Sequence, residues 1–316
     1  MNPLVTIICL CYNHEKFIDE AVNSILAQDY DNMEIIIADD CSQDNSQAVI
    51  KRIAAQHPFI RTILNDKNVG NCKAFNNALA QANGKYIIDF AADDVLVKNR
   101  ISKQVEAFER MGEEYGVVYT NVLDIDEYGK PIGLHQKENV ELPSGDIYIN
   151  ILEKYFISPP SMMIRKAIFD ELGGYDESLA YEDFDFWVRS SRKYKYYYLK
   201  EVLCHKRILR NSHSAQFHRK GKAYVVDTTI KVCRKALWLN QSEGENMALA
   251  KRIRYEMMHA FRMEYFEQVK NFYILLEEMG KVDGLSKLIK KATDWKVKVY
   301  WLYSYYIKVR YSHQHS

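Results

Sequence analysis

Glu34-Ile-Ile-Ile-Ala-Asp39-Asp40 and Tyr86-Ile-Ile-Asp-Phe-Ala-Ala-Asp93-Asp94 present one arrangement twice, an apolar run closing on paired aspartates. Each run has the length and β-branched or aromatic content of a buried strand. In a parallel α/β sheet the carboxyl ends of neighbouring strands open onto one crevice, where ligands bind. Carboxylates delivered together there repel one another unless a cation or a cationic ligand group holds them. A divalent metal with a phosphorylated ligand is the usual resolution.

Working outward, the first hundred residues alternate strand and helix. Residues 4–10 are predicted as a strand, followed by a Tyr12-Asn13-His14 turn. Phe17, Ile18, Ala21, Val22, Ile25 and Leu26 recur at helical spacing. After Asp40, Ser42 is placed to cap a helix that runs to about Gln56 and stops at His57-Pro58. Residues 61–64 form the third predicted strand, and Asn68-Val69-Gly70 turns into a helix carrying Ala74, Phe75, Ala78 and Leu79. Asn83-Gly84 closes that helix before the strand at Tyr86. A β-α-β-α-β-α-β series implies an α/β fold with a mostly parallel central sheet and flanking helices.

From Gly116 the rhythm changes. Residues 117–120 and 157–165 are predicted strands around a polar middle, 124–145, with Asp124-Ile-Asp126 in a surface hairpin. Gly173-Gly174 interrupts the chain before Tyr181-Glu-Asp-Phe-Asp-Phe-Trp187. Beyond about residue 217 the pattern is helical, with Ile253, Met257, Phe261, Phe266 and Val269 marking one face. The expected organisation is a domain over residues 1–215 and a helical extension over 216–316.

Composition narrows the function classes. The 316 residues are 47% hydrophobic, as for a globular protein with a real core. Lys and Arg (43) balance Asp and Glu (42), so no nucleic-acid partner is expected. The start of the chain has neither the basic region nor the cleavage site of a signal peptide. No apolar stretch reaches the roughly 20 residues of a membrane-spanning helix. Six cysteines (9, 11, 41, 72, 204 and 233) lack ligand spacing and read as buried free thiols, with Cys9 and Cys11 on one strand face. A cytosolic protein is expected. The stretch Trp295-Lys-Val-Lys-Val-Tyr-Trp-Leu-Tyr-Ser-Tyr-Tyr-Ile-Lys-Val-Arg-Tyr311 mixes aromatics with cations. It suits peripheral contact with a membrane interface, or a last element packed on the protein.

The chain resembles the inverting, family-2 glycosyltransferases of the GT-A (nucleotide-diphospho-sugar transferase) fold, over residues 3–100 and again over 158–214. The carriers are Val5-Thr-Ile-Ile-Cys-Leu-Cys-Tyr-Asn13, Ser24-Ile-Leu-Ala-Gln28, Glu34-Ile-Ile-Ile-Ala-Asp-Asp-Cys-Ser-Gln-Asp44, Asn68-Val-Gly70 and Gly84-Lys-Tyr-Ile87. Ala92-Asp-Asp94, Gly173-Gly-Tyr-Asp-Glu177 and Glu182-Asp183 complete the set. Each is weak alone; in order and on predicted strand ends they are strong.

The resemblance implies a nucleotide-sugar donor, UDP-linked, lying across the carboxyl edge of the sheet. It implies that Tyr12 stacks on the base and that Asp39 accepts the imide N–H of the ring, with Asp40 beside it. For both acids the alternative is helix N-capping. It implies further that Asp93 faces the ribose and that Asp94, with Asp93, holds Mn²⁺ or Mg²⁺. Asp183 matches the base that takes the proton of a hydroxyl on a glycan or lipid-linked saccharide acceptor; the alternative is a cap on its own helix. Lys73 reads equally as a phosphate contact and as a solvated side chain.

Three positions depart from the family pattern. Ala91 stands where many members carry a further acid, and Phe75 where many carry arginine. Leu209 stands where many carry histidine, leaving His205 or His213 to substitute. Two other classes fit less well. A nucleotidyltransferase needs a glycine-rich basic loop after the first strand, where this chain has Cys11-Tyr-Asn-His-Glu15. A sugar-nucleotide-binding protein without turnover would not need Asp39, Asp93, Asp94 and Asp183 together.

Overall fold

The structure, a computed structural model, describes residues 2–209 and 220–305. In chain order the elements are β1 (Val5–Cys11), α1 (Ile18–Leu26), β2 (Met33–Asp39), α2 (Ser46–Gln56), β3 (Arg61–Leu64), α3 (Asn71–Leu79), β4 (Tyr86–Ala91) and β5 (Val95–Leu96). Then follow α4 (Arg100–Arg110), β6 (Tyr115–Ile125), β7 (Pro131–Leu134), α5 (Tyr148–Glu153), β8 (Met163–Arg165), α6 (Lys166–Leu172), α7 (Glu182–Ser191) and β9 (Lys195–Arg207). The remaining helices are α8 (Ala223–Leu239), α9 (Glu243–Arg262), α10 (Phe266–Glu278) and α11 (Gly284–Asp294). The chain forms two compact units, Met1–Ile147 with Tyr155–Glu177 and Asp185–Arg210, and Tyr148–Lys154 with Ser178–Phe184 and Asn211–Ser316.

The first unit is built on a sheet of order β3-β2-β1-β4-β8-β6-β9-β5, with β7 pairing β6 outside this path. Its N-terminal half is parallel: β1 pairs β2 and β4, and β2 pairs β3. Every residue of β1 is buried, so both faces of this strand are covered, which is why it reads as one continuous apolar run. The other half is mixed. β8 joins β4 and β6 antiparallel, while β6 and β9 run parallel over their length. Val5, Ile7, Cys9, Cys11, Ile35, Ile37, Ile88 and Phe90 belong to one core cluster, and all six cysteines are free.

Several local expectations change. The stretch 157–165 is a strand only at β8, because Pro159-Pro160 opens a 3₁₀ turn (Pro159–Ser161) and proline has no N–H to give a ladder. β6 is an 11-residue strand, and the 13-residue β9 had no counterpart in the sequence reading. Ser42 does not cap α2. Its N-cap is Asn45, and Asp44 accepts from the Ser46 N–H at 2.9 Å. Gly173 ends α6 in the left-handed region (φ 73°), the conformation glycine takes at least cost.

The second unit packs α5 with α8–α11. α9 opens with a capping box, Ser242 and Glu245 exchanging hydrogen bonds with each other's backbone N–H. Ile253, Met257 and Val269 are fully buried with Leu249, Phe272 and Leu276, whereas Phe261 and Phe266 are half-buried.

Candidate active site

Register brings Tyr12 and the two predicted aspartate pairs to one sheet edge. Cys11 lies opposite Asp39, and Leu10 lies between Ala38 and Ala91, so the chain leaves β1, β2 and β4 at the same level. Tyr12, Asp40 and the Asp93-Asp94 pair therefore follow neighbouring strand ends. The first two loops are laced together. Asn13 donates its N–H to Ser42 Oγ (2.9 Å) and accepts from the Gln43 N–H (2.7 Å), and the His14 N–H reaches Ser46 Oγ (2.9 Å). Tyr12 stands at this rim with 43% of its surface exposed.

Asp39 is fully buried. It accepts from the Ser42 N–H (3.0 Å), the Ser42 hydroxyl and the Gln47 amide (2.8 Å). A carboxylate offers about four acceptor sites, so about one remains. Asp40 is committed elsewhere. Its oxygens accept from the N–H groups of Val69 and Gly70 (2.8 Å each) and from the Asn65 amide (3.1 Å). Neither acid is the N-cap of α2; Asp40 instead anchors the loop that enters α3.

The second pair is built differently. Asp94 is 4% exposed and its Oδ1 accepts from the Arg207 N–H at 2.8 Å. Burial, and then the charge of Asp93, push the Asp94 carboxyl well above the usual range. His14 Nε2 stands 3.9 Å from Asp93 Oδ2, while His14 Nδ1 is buried with no hydrogen-bond partner among the described residues.

Arg207, 3% exposed, ties this loop down. Its Nε donates to the Asp93 carbonyl (2.8 Å), Nη1 to the carbonyls of Asp126 (3.0 Å) and Glu127 (3.2 Å), and Nη2 to Glu20 (2.6 Å). Its guanidinium also lies 4.8 Å from the Phe17 ring. From sequence alone, Arg207 is not singled out and His14 is placed only in a turn. The side-chain partners of Arg207 and the Asp93 that His14 faces lie more than 70 residues away in sequence, so no local signal marks these contacts.

Among the described residues no three His, Cys, Asp or Glu side chains group closely enough to cage a metal by themselves. The Asp93-Asp94 pair still fits a hard divalent cation, which takes one or two carboxylates and completes its shell with phosphate and water. The observation that favours such a cation is that burial and Asp93 disfavour the Asp94 carboxylate by more than Lys206 and Arg100 favour it.

The departures have structural content. Phe75 is fully buried, its ring 4.5 Å from Tyr175 and 5.2 Å from Phe169, so a core aromatic occupies the place of the family's arginine. Lys73 points to Glu177 (3.8 Å) on the surface. His205 lies in β9, its backbone paired with Val95; burial lowers its imidazole pKa and the charge of Glu20 opposes that. Leu209 follows β9 half-buried, and His213 lies outside the described residues. Asp126 accepts from the N–H groups of Tyr128 and Lys130 (2.9 Å each) and closes the β6–β7 hairpin, whereas Asp124 is a half-buried strand residue. Asp183 is the second residue of α7, in the first turn, where the helix dipole favours an anion. Asp185 is buried and paired with Arg189 at 2.7 Å, which leaves it unsuited to take a proton from a ligand.

The sequence model of glycosyl transferase family 2 matches residues 6–173. The chain belongs to this family. It is 30% identical over 292 residues to the putative glycosyltransferase EpsE of Bacillus subtilis, an alignment covering 90% of this chain and 98% of that protein. It is 32% identical to an uncharacterized glycosyltransferase of Rickettsia prowazekii, covering 68% of this chain and 66% of the relative. Among solved structures, S. aureus TarS in complex with UDP-GlcNAc superposes with a TM-score of 0.68 at 16% identity, over 92% of this chain and 87% of that one. The fold is thus the GT-A fold of a glycosyltransferase, with a mixed sheet whose long pairings are parallel, flanking helices and a helical C-terminal region.

Proposed function

We propose that this family-2 glycosyltransferase moves one sugar from a UDP-linked donor to a hydroxyl of a glycan or lipid-linked oligosaccharide, with inversion, at the cytosolic face of a membrane. The observation that carries the reading is the convergence of Tyr12, Asp39 and Asp93-Asp94 on the ends of neighbouring parallel strands. The exposed Tyr12 ring offers a face for a base. The remaining acceptor site of Asp39 suits an imide N–H, which only a uracil or thymine ring presents. A uridine nucleotide also occupies the TarS complex, a fold-level likeness. Asp93 is assigned to the ribose. Asp94 and Asp93 would hold a divalent cation, which when bound offsets the charge that develops on the leaving diphosphate. Asp183 is assigned as the base that removes the acceptor proton, so a single displacement needs no covalent intermediate.

The exposed surface of the C-terminal helices supports a membrane-linked acceptor. α11 buries Ser286, Ile289 and Thr293 and turns Leu285 and Leu288 outward. Trp295, Trp301, Leu302 and Tyr305 follow, all exposed, with exposed Lys287, Lys291, Lys296 and Lys298 among them. Residues 306–311 of the aromatic, basic stretch lie outside the described residues. No described helix is long and apolar enough to cross a membrane. Peripheral contact predicts co-sedimentation with phosphatidylglycerol vesicles that weakens with salt and with Trp301→Ala.

Nucleotide release from a panel of UDP-sugars tests the transferase reading. Turnover should stop on chelation and return with Mn²⁺ or Mg²⁺, and Asp183→Asn should slow it by about 10²–10⁴-fold. Tight, metal-dependent nucleotide binding without release from any donor and acceptor pair would instead identify a sugar-nucleotide-binding protein of the same fold.

A further inference from the structure

The segment that carries Asp183 packs with the C-terminal helices: Tyr148–Lys154, Ser178–Phe184 and Asn211–Ser316 make one unit. The inward face of α9 is apolar at Leu249, Ile253, Met257 and Ala260, yet it also buries Arg252 (2% exposed) and Glu256 (8%). Burying two charges costs more than burying apolar groups of the same size, so such a pair is weak evidence for stability and asks for another role.

The contacts of Arg252 point to that role. Nη1 donates to Glu256 Oε1 (3.3 Å) and Nε to the Leu152 carbonyl (3.3 Å). The guanidinium lies 5.4 Å from the centre of the Phe184 ring. Phe184 in turn stacks with Tyr181, ring centres 6.3 Å apart and planes 27° from parallel. Along the chain Asp183 thus lies between two stacked aromatic residues, one of them covered by the guanidinium. The charges share this neighbourhood: burial and then Asp183 push the Tyr181 phenol up, while Arg252 opposes them.

We infer that Arg252 is the positioning residue of Asp183: held by Glu256 and the Leu152 carbonyl, its guanidinium packs on Phe184 and sets where the first turn of α7 presents the carboxylate. This inference rests on the assignment of Asp183 as base.

The test replaces the pair by Arg252→Met with Glu256→Leu, which removes both charges of the pair together, and compares it with Arg252→Lys and Asp183→Asn. Rates are read as UDP release to water from whichever of UDP-N-acetylglucosamine, UDP-glucose and UDP-galactose the wild type hydrolyses. UDP affinity is read by calorimetry. The apolar pair should lower kcat at least about tenfold, a part of the ~10²–10⁴ that a positioned base contributes, with KM and UDP affinity within about twofold. Arg252→Lys should fall between it and wild type. Adding Asp183→Asn to the apolar pair should slow the enzyme no further than Asp183→Asn alone, because the two act through one group.

Wild-type kcat in the apolar pair, with Asp183→Asn slow, overturns the inference and leaves the base assignment standing. A near-normal rate for Asp183→Asn overturns the assignment and the inference with it. A rise in KM without loss of kcat also overturns the inference, since it places the effect on donor binding. Should the apolar pair not fold, Arg252→Lys decides: wild-type kcat there overturns it.

Discussion

Asp39-Asp40 and Asp93-Asp94 both follow buried parallel strands, yet their surroundings differ sharply. The first pair is supplied with donors by the chain itself: Asp40 alone accepts from two backbone N–H groups and an amide. Asp94 has one backbone N–H, from Arg207, and burial with Asp93 works against its charge by more than Lys206 and Arg100 favour it. An anion already satisfied by N–H groups has little use for a cation, whereas a buried carboxylate short of donors does. Identical dipeptides at neighbouring strand ends thus stand in opposite settings, one satisfied by loop N–H groups and the other short of donors, as the proposed cation site requires.

Asp94→Asn gives the largest expected effect. Transfer should fall about 10²–10³-fold, as when one electrostatic stabiliser is lost from an active site. The same change should raise Tm in the absence of metal and donor. The folded state holds the Asp94 proton more tightly than the unfolded chain. Stability is therefore lost as pH rises from the unfolded value of about 3.9 through the folded one, and Asn removes that loss at pH 7. A rise of about 2–4 °C corresponds to ~1 kcal/mol in a protein of this size. A lower Tm for the variant at pH 7 would show that Asp94 is as well satisfied as Asp40, and the contrast would collapse.

Arg207→Lys comes next. Lysine keeps the charge but cannot span the carbonyls of Asp93, Asp126 and Glu127 and the carboxylate of Glu20. The Mn²⁺ concentration for half-maximal turnover should rise about 10–100-fold, the usual cost of losing support behind a metal ligand. Asp40→Asn should act on the fold instead. It leaves one of two backbone N–H groups without a good acceptor, costing about 1–3 kcal/mol in a thermal or urea melt, while UDP affinity stays within about twofold. Loss of UDP binding in a folded Asp40→Asn protein would return that acid to the nucleotide site.

The legible part of the molecule is the part decided by local pattern. β4 coincides with the predicted strand at 86–91, and β1 is displaced by a single residue, because strands buried over most of their length are apolar at most positions. β9 escaped notice because Lys200, Glu201 and Lys206 interrupt it, and half its positions are only partly covered. The insertion of β8 between β4 and β6 depends on pairings about 50–80 residues apart, which no periodicity reports. The same holds at the site. Aspartates after strands announce themselves, but what distinguishes Asp40 from Asp94 is the identity of distant donors: Val69 and Gly70 for one, Arg207 for the other.

Lys73 tests the finest point. It lies in the first turn of α3, just beyond the loop that Asp40 anchors, so this loop sets where the Lys73 cation stands. Its pairing with Glu177 is exposed on both sides, the kind of contact that contributes ~0–1 kcal/mol. Lys73→Ala should therefore leave the melt unchanged and move the KM for a UDP-sugar by less than about twofold, since no ground-state binding is lost. A fivefold rise in KM at constant kcat would mean that Lys73 leaves Glu177 for a phosphate when donor binds. The first acid pair would then act on the donor through the helix it supports, and the division of labour between the two pairs would be one of distance rather than of kind.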